Sequence, residues 1–336
     1  MRPLLALALT PVALVLVLSA CGGGDGGDSK APAYSGPTNV VVFSAKEADG
    51  TFALYSITPE TGAEPERLTT EPQAISYPRW SPDGARIAYL TGAGATAALR
   101  VIELASGKVS TAGDNAPPGA AASWSPDGKE LAYIDAAGGG LVRFYDVASG
   151  ETTASENIPG TEVDWSSSGD LAVVTDGNLV RVDPDSGDGE LLAGAAEPIS
   201  GPRWSPDGTT VAYSTGEDAQ LYVVRPDSEP ANLGRGSQPA WTADSARLAF
   251  AYEPQTGVSD IYTVAVTPAG APAQLTTSIT FDRWPSWSPD GTRVAYVAAA
   301  DNVTAFVCIA QFAVPGGDCL QLPNGLLPMS LEWSPE

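Results

Sequence analysis

The chain has 336 residues, 17 basic against 40 acidic, a formal charge of -23 at pH 7 and no histidine. A surface this acidic repels phosphate backbones and anionic lipid heads, which sets nucleic acid aside as a partner. The missing imidazole removes Ser-His-Asp and Cys-His catalysis, histidine general bases and the commonest transition-metal ligand together.

The N-terminus begins Met1-Arg2, continues through an apolar stretch from Leu4 to Leu18 broken by Thr10 and Pro11, and reaches Leu18-Ser19-Ala20-Cys21. A basic start, a short apolar run and small residues at a cleavage point read as a secretory signal over residues 1–20. The run falls short of the roughly 20 apolar residues a spanning helix needs. Leu-Ser-Ala-Cys also resembles the lipobox of bacterial lipoproteins, which implies cleavage before Cys21 and a lipid on that cysteine. Residues 21–37 are rich in glycine and polar residues; they read as a flexible tether of roughly 20–25 Å average span.

From residue 38 onward the chain repeats. Trp80-Ser81-Pro82-Asp83-Gly84 recurs in full at Trp124, Trp204 and Trp287, in degenerate form at Trp165-Ser166-Ser167-Ser168-Gly169 and Trp241-Thr242-Ala243-Asp244-Ser245, and as Trp333-Ser334-Pro335-Glu336 at the C-terminus. Successive tryptophans lie 44, 41, 39, 37, 46 and 46 residues apart, the period of a supersecondary unit that cannot bury its apolar faces alone. Pro-Asp-Gly is turn chemistry: proline presets φ, aspartate bonds back to the backbone and glycine accepts positive φ. After most turns comes an aliphatic-alanine-aromatic core, such as Ile87-Ala88-Tyr89, Leu131-Ala132-Tyr133 and Val294-Ala295-Tyr296, which fits a strand packed on both faces.

A third strand follows (Leu99 to Ile102, Val142 to Tyr145, Leu221 to Val224, Ile261 to Val264), then a turn carrying Ser-Gly in several copies and a short fourth strand such as Arg67-Leu68-Thr69. Four short antiparallel strands per period of about 40 predict the blades of a β-propeller. Residues 39–43 match a second strand and the Trp333 copy ends a first strand. Joining them closes a composite blade, so the expected fold is all-β: a single seven-bladed propeller over residues 38–336, four antiparallel strands per blade.

Trp-Ser-Pro-Asp-Gly followed by an aliphatic-Ala-Tyr strand resembles the WD40-like PD40 repeat of TolB-type propellers, also found beside the catalytic domains of prolyl-oligopeptidase-like proteins. The resemblance implies the fold and leaves the activity open. Neither a Gly-x-Ser-x-Gly elbow nor a P-loop is present.

Cys308 and Cys319 flank a hairpin tip with Pro315-Gly316-Gly317, and an exported protein can bridge them as a disulfide. The acidic run from Asp183 to Glu190 has its glycines out of register with a calcium loop and reads as a plain turn. No cofactor or metal is expected.

Alternate connections of an antiparallel blade go to opposite ends, so the stereotyped turns gather at one end and irregular loops such as 71–79, 156–164 and 278–286 at the other, where recognition usually sits. Tyr77, Arg79, Asp164, Arg203, Trp284 and Glu332 enter the innermost strands there and are the candidate ligand contacts. The expected protein is a monomeric, non-catalytic binding module, lipid-anchored outside the cytoplasm, engaging a protein, peptide or glycan of the cell envelope. The rival is a carboxylate-dependent hydrolase or lyase acting on envelope or extracellular polymers.

Overall fold

The computed structural model describes residues 38–335 except 93–95, 118, 138, 195, 217, 256, 267–268, 278 and 302. The signal at 1–20, the tether at 21–37 and the lipidation expected at Cys21 lie outside the described residues.

The described chain forms strands and turns. β1 (Val41–Lys46), β2 (Phe52–Ile57) and β3 (Glu66–Arg67) are followed by β4 (Ile75–Trp80), β5 (Arg86–Thr91), β6 (Ala97–Glu103) and β7 (Lys108–Ala116). Next come β8 (Ser123–Trp124), β9 (Glu130–Asp135), β10 (Leu141–Asp146) and β11 (Thr152–Pro159), then β12 (Glu162–Trp165), β13 (Leu171–Thr175), β14 (Asn178–Val182) and β15 (Gly189–Gly194). The chain continues with β16 (Ile199–Trp204), β17 (Val211–Thr215), β18 (Gln220–Val224) and β19 (Ala231–Arg235), and with β20 (Ser237–Trp241), β21 (Arg247–Gln255), β22 (Val258–Ala265) and β23 (Ala273–Gln274). It ends with β24 (Phe281–Trp287), β25 (Arg293–Ala299), β26 (Ala305–Gln311), β27 (Asp318–Cys319) and β28 (Leu327–Trp333).

Hydrogen bonding delimits five four-stranded blades, one of them ordered β28-β1-β2-β3, and a single eight-stranded sheet built from β20 to β27. This corrects the expectation of seven separate four-stranded blades. The fusion arises because β23 pairs with β22 only at Tyr262 and Thr263, leaving the start of β22 to meet β24 in a parallel bridge between Ser259 and Phe281. The Ser259 hydroxyl seals it by donating to the Asp282 carbonyl at 2.9 Å.

β28 pairs antiparallel with β1, Trp333 opposite Val41, and the serine after Trp333 adds to the seam. Ser334 N–H donates to the Val40 carbonyl at 2.8 Å, and its hydroxyl accepts the Val40 N–H at 3.2 Å. The ends of the sheet system thereby cover each other's edges, leaving less exposed backbone for aggregation.

The tryptophans fill wedges between sheets. Trp80 packs with Val40, Val42 and Leu54 of one sheet and Ile87 and Tyr89 of the next, and Trp124 joins Ala88, Leu99 and Val101 to Leu131 and Tyr145. Trp287 does the same between the two halves of the eight-stranded sheet, against Ala249, Ala251 and Ile261. The alanines of the repeated strand core are buried, which lets the sheets approach. Truncating one of these tryptophans to alanine costs about 3–5 kcal/mol.

In the full copies the turn after the tryptophan is built from its serine as much as from its aspartate. Ser288 is buried; its hydroxyl donates to Asp290 Oδ1 at 2.6 Å and accepts the Arg293 N–H at 2.9 Å. Asp290 Oδ1 also takes the Thr292 N–H at 3.0 Å. Thr242 and Asp244 reproduce the arrangement in a degenerate copy. The acidic run at 183–190 is likewise a turn, with Asp183 Oδ1 accepting the Asp185 and Ser186 N–H groups.

Candidate functional site

The innermost strands β4, β8, β12, β16, β20, β24 and β28 surround a cavity of about 850 Å³. Tyr77, Arg79, Asp164, Arg203, Trp284 and Glu332 all line it.

Four of these strands carry a bulge at one place. The register slips between Ser76 and Arg79, Ser200 and Arg203, Ser237 and Ala240, and Arg283 and Ser286. Each slip holds a residue in the left-handed region followed by a buried proline: Tyr77 (φ 53°), Gly201 (φ 60°), Gln238 (φ 57°) and Trp284 (φ 58°), before Pro78, Pro202, Pro239 and Pro285. Proline is tolerated in an inner strand at a bulge, where no ladder N–H is needed. Glycine takes the left-handed conformation freely, whereas tyrosine, glutamine and tryptophan hold it at a cost of order 1–3 kcal/mol each. The bulges place Tyr77 and Trp284 edge to face, centroids 5.1 Å apart at 90°.

The residue before each tryptophan ties its strand to the next by a simple rule. Where it carries an acceptor, its side chain takes the main-chain N–H of the following tryptophan: Glu332 from Trp80 at 2.6 Å, Ser123 from Trp165 at 2.8 Å, Asp164 from Trp204 at 2.8 Å and Ser286 from Trp333 at 2.9 Å. Where the side chain is arginine or alanine, its carbonyl takes the next indole N–H instead: Arg79 from Trp124, Arg203 from Trp241 and Ala240 from Trp287. Consistent with this, the buried indole N–H groups of Trp80, Trp204 and Trp333 have no hydrogen-bond partner among the described residues.

Two ion pairs complete the wall. Arg79 reaches Glu332 at 3.2 Å, and Arg203 reaches Asp164 at 3.1 Å. The Asp164 side chain is 13% exposed. Burial pushes it up to about 7, against the Trp204 N–H, the Arg79 charge and the Ser123 hydroxyl, all of which favour its ionised form. Glu332 is also raised, first by burial, with Arg79 and the Trp80 N–H opposing.

Glu162 and Gln238 also line the cavity and were missed in the sequence. Each sits three residues before a tryptophan, the offset shared by Tyr77 and Trp284, and that common offset was the available signal. Their side chains bridge strands: Glu162 Oε2 accepts the Gly201 N–H at 2.8 Å, and Gln238 Oε1 accepts the Trp284 N–H at 2.9 Å. Cys308 and Cys319, paired across β26 and β27, form a disulfide away from this cavity.

Comparison with known proteins bears on this geometry at the level of fold. TolB from Acinetobacter baumannii superposes with a TM-score of 0.58 at 16% identity, over 89% of this chain and 67% of that one. An oligogalacturonate lyase in complex with manganese gives 0.63 at 14% identity, covering 84% and 88%. The oligogalacturonate lyase from Vibrio parahaemolyticus gives 0.59 at 14%, covering 82% and 92%. Among the described residues no group of three or more histidine, cysteine, aspartate or glutamate side chains is placed to hold a metal ion. Residues 161–302 match the PD40 family, the TolB β-propeller domain, and over that stretch the chain is similar to the TolB-type propeller repeat.

Proposed function

We propose that this chain is a non-catalytic binding module that engages a protein, peptide or glycan of the cell envelope at the mouth framed by Tyr77 and Trp284, and that it is held outside the cytoplasm by a lipid on Cys21. The observation that carries the reading is the aromatic pair at that mouth, kept in a costly backbone conformation at the edge of a large cavity. Strain of this kind persists where surrounding structure enforces it and clusters at ligand-binding sites. The candidate channel acids are committed elsewhere. Asp164 and Glu332 each pair with an arginine and accept a main-chain N–H, contacts that tie both to the wall of the cavity.

Crosslinking the anchored protein in its native envelope, beside a Tyr77→Ala/Trp284→Ala control, tests the binding reading. A partner captured by the wild type and lost in the control supports it; equal capture by both overturns it. Incorporation of labelled palmitate that vanishes in Cys21→Ser tests the anchor.

The elevated Asp164 favours a second reading, a carboxylate-dependent lyase or hydrolase acting on acidic polysaccharide. Appearance of unsaturated uronate from oligogalacturonate, abolished by Asp164→Asn, would establish it over the first.

A further inference from the structure

Among the described residues, four of the five charged side chains lining the cavity cancel in pairs, Arg79 with Glu332 and Arg203 with Asp164. The fifth is Glu162. Its Oε2 accepts the Gly201 N–H, and among the described residues no arginine or lysine pairs with it. It lines the same cavity as Tyr77, whose hydroxyl is raised first by burial and then by the Glu162 charge, with the Arg79 charge opposing. Burial likewise raises Glu162 itself, the cost of holding a carboxylate there without a counterion.

A half-buried carboxylate without a cation, on the wall of a cavity that a tyrosine and a tryptophan set edge to face also line, is the complement of an organic cation. Ring faces attract ammonium and guanidinium groups through the aromatic quadrupole, more strongly as water is excluded. A carboxylate in the same cavity adds a charge-assisted hydrogen bond. Gln238 fixes Trp284 through its main-chain N–H, and Pro78 and Pro285 limit the backbone at both aromatic positions, so the two rings are held before a ligand arrives. The net charge of -23 draws cations toward the protein and repels acidic ligands.

We infer that Glu162, Tyr77 and Trp284 form a recognition site for an alkylammonium or guanidinium group entering the mouth of the cavity. The site deepens the binding reading above and rests on it. Such a group is carried by a lysine or arginine side chain of a peptide or by a free polyamine, and the two sources are separable by experiment.

Isothermal titration of the full-length protein at 0.15 M salt would use two probes, acetyl-Gly-Lys-Gly-amide and spermidine, with acetyl-Gly-Gln-Gly-amide as the uncharged control. Saturable binding of a cationic probe, absent for the glutamine peptide and weakened about tenfold by Glu162→Gln, supports the site; the tighter probe identifies the source. The amide of Glu162→Gln still offers an oxygen to Gly201, so its thermal midpoint should stay near wild type. Should it fail to fold, Trp284→Phe keeps a ring but a weaker quadrupole, and Tyr77→Leu removes one; each should weaken binding several-fold. Absence of saturable binding, or binding unchanged by these variants, overturns the inference. If the envelope crosslink is lost in the aromatic variants while no cation binds, the binding reading stands and the cation site falls.

Discussion

The two ends of the inner strands use carboxylates in opposite ways. At the turn end, Asp244 and Asp290 sit in a net of donors, led by the Thr242 and Ser288 hydroxyls, which holds them below the usual carboxylate range. Along the cavity, Glu162, Asp164 and Glu332 have donors too, yet burial prevails and all three are raised. A turn aspartate remains near water and gains from every hydrogen bond. A wall carboxylate gives up its hydration for a contact that spans two sheets.

The sharpest way to break this contrast is to delete a wall carboxylate. Asp164→Ala strands the Arg203 guanidinium and the Trp204 N–H, for an expected loss of about 3 kcal/mol in urea unfolding. Asp164→Asn keeps an acceptor for Trp204 and should lose about 1 kcal/mol. Equal losses in the two variants would show that charge, rather than the link to Trp204, is what the wall requires. At the turn end, Ser288→Ala removes the acceptor of the Arg293 N–H and a donor to Asp290, and should cost about 2 kcal/mol.

The contrast also predicts opposite pH slopes. A folded-state pKa raised to about 7 means the native protein holds the Asp164 proton more tightly than the unfolded chain. Its contribution is greatest below the unfolded carboxylate range near 4, declines as pH rises from there, and levels off above about 7. The turn aspartates contribute fully above their unfolded value and lose that contribution as pH falls through their depressed folded values. Urea melts from pH 3 to 8 should therefore show the Asp164→Asn protein losing part of the decline between pH 4 and 7 while keeping the acid-side loss. An unchanged slope between pH 4 and 7 would show that Asp164 is ionised throughout.

How far the sequence could be read follows the range of each interaction. Turn chemistry lies within six residues of the tryptophan, so Trp-Ser-Pro-Asp-Gly announced its strand, its turn and the next strand. The seam of β28 on β1 was also legible, because the terminal copies supply complementary parts of one repeat. Fusion of β20 to β27 was not, since it depends on β22 outrunning the two residues of β23, a length no repeat phrase encodes. The roles of Asp164 and Glu332 were half legible: the position before tryptophan marked them as lining the cavity, but their commitment to Trp204 and Trp80 is a contact between strands that lie 40 or more residues apart. Glu162 was hidden because Val163 follows it, where Tyr77, Gly201, Gln238 and Trp284 are each followed by a proline.

The smallest predicted effect isolates backbone conformation at the turn end. Gly84, Gly128, Gly208 and Gly291 have φ between 59° and 70°, and in the degenerate fifth copy Ser245 adopts the same conformation, φ 58°. Replacing Ser245 with glycine relieves a conformation that costs a non-glycine residue about 1 kcal/mol. It also removes the hydroxyl that accepts the Asp207 N–H at 3.0 Å, an exposed bond contributing no more than about 0.5 kcal/mol. The balance favours Ser245→Gly by roughly 0.5 kcal/mol, read as a small rise in the urea midpoint at constant slope. The converse, Gly291→Ser, gains no such bond and should lose about 1 kcal/mol. If Ser245→Gly instead destabilises the protein, the hydroxyl bridge from Ser245 to Asp207 outweighs the strain, and the fifth turn was altered to join its neighbour rather than merely tolerated as a weaker copy.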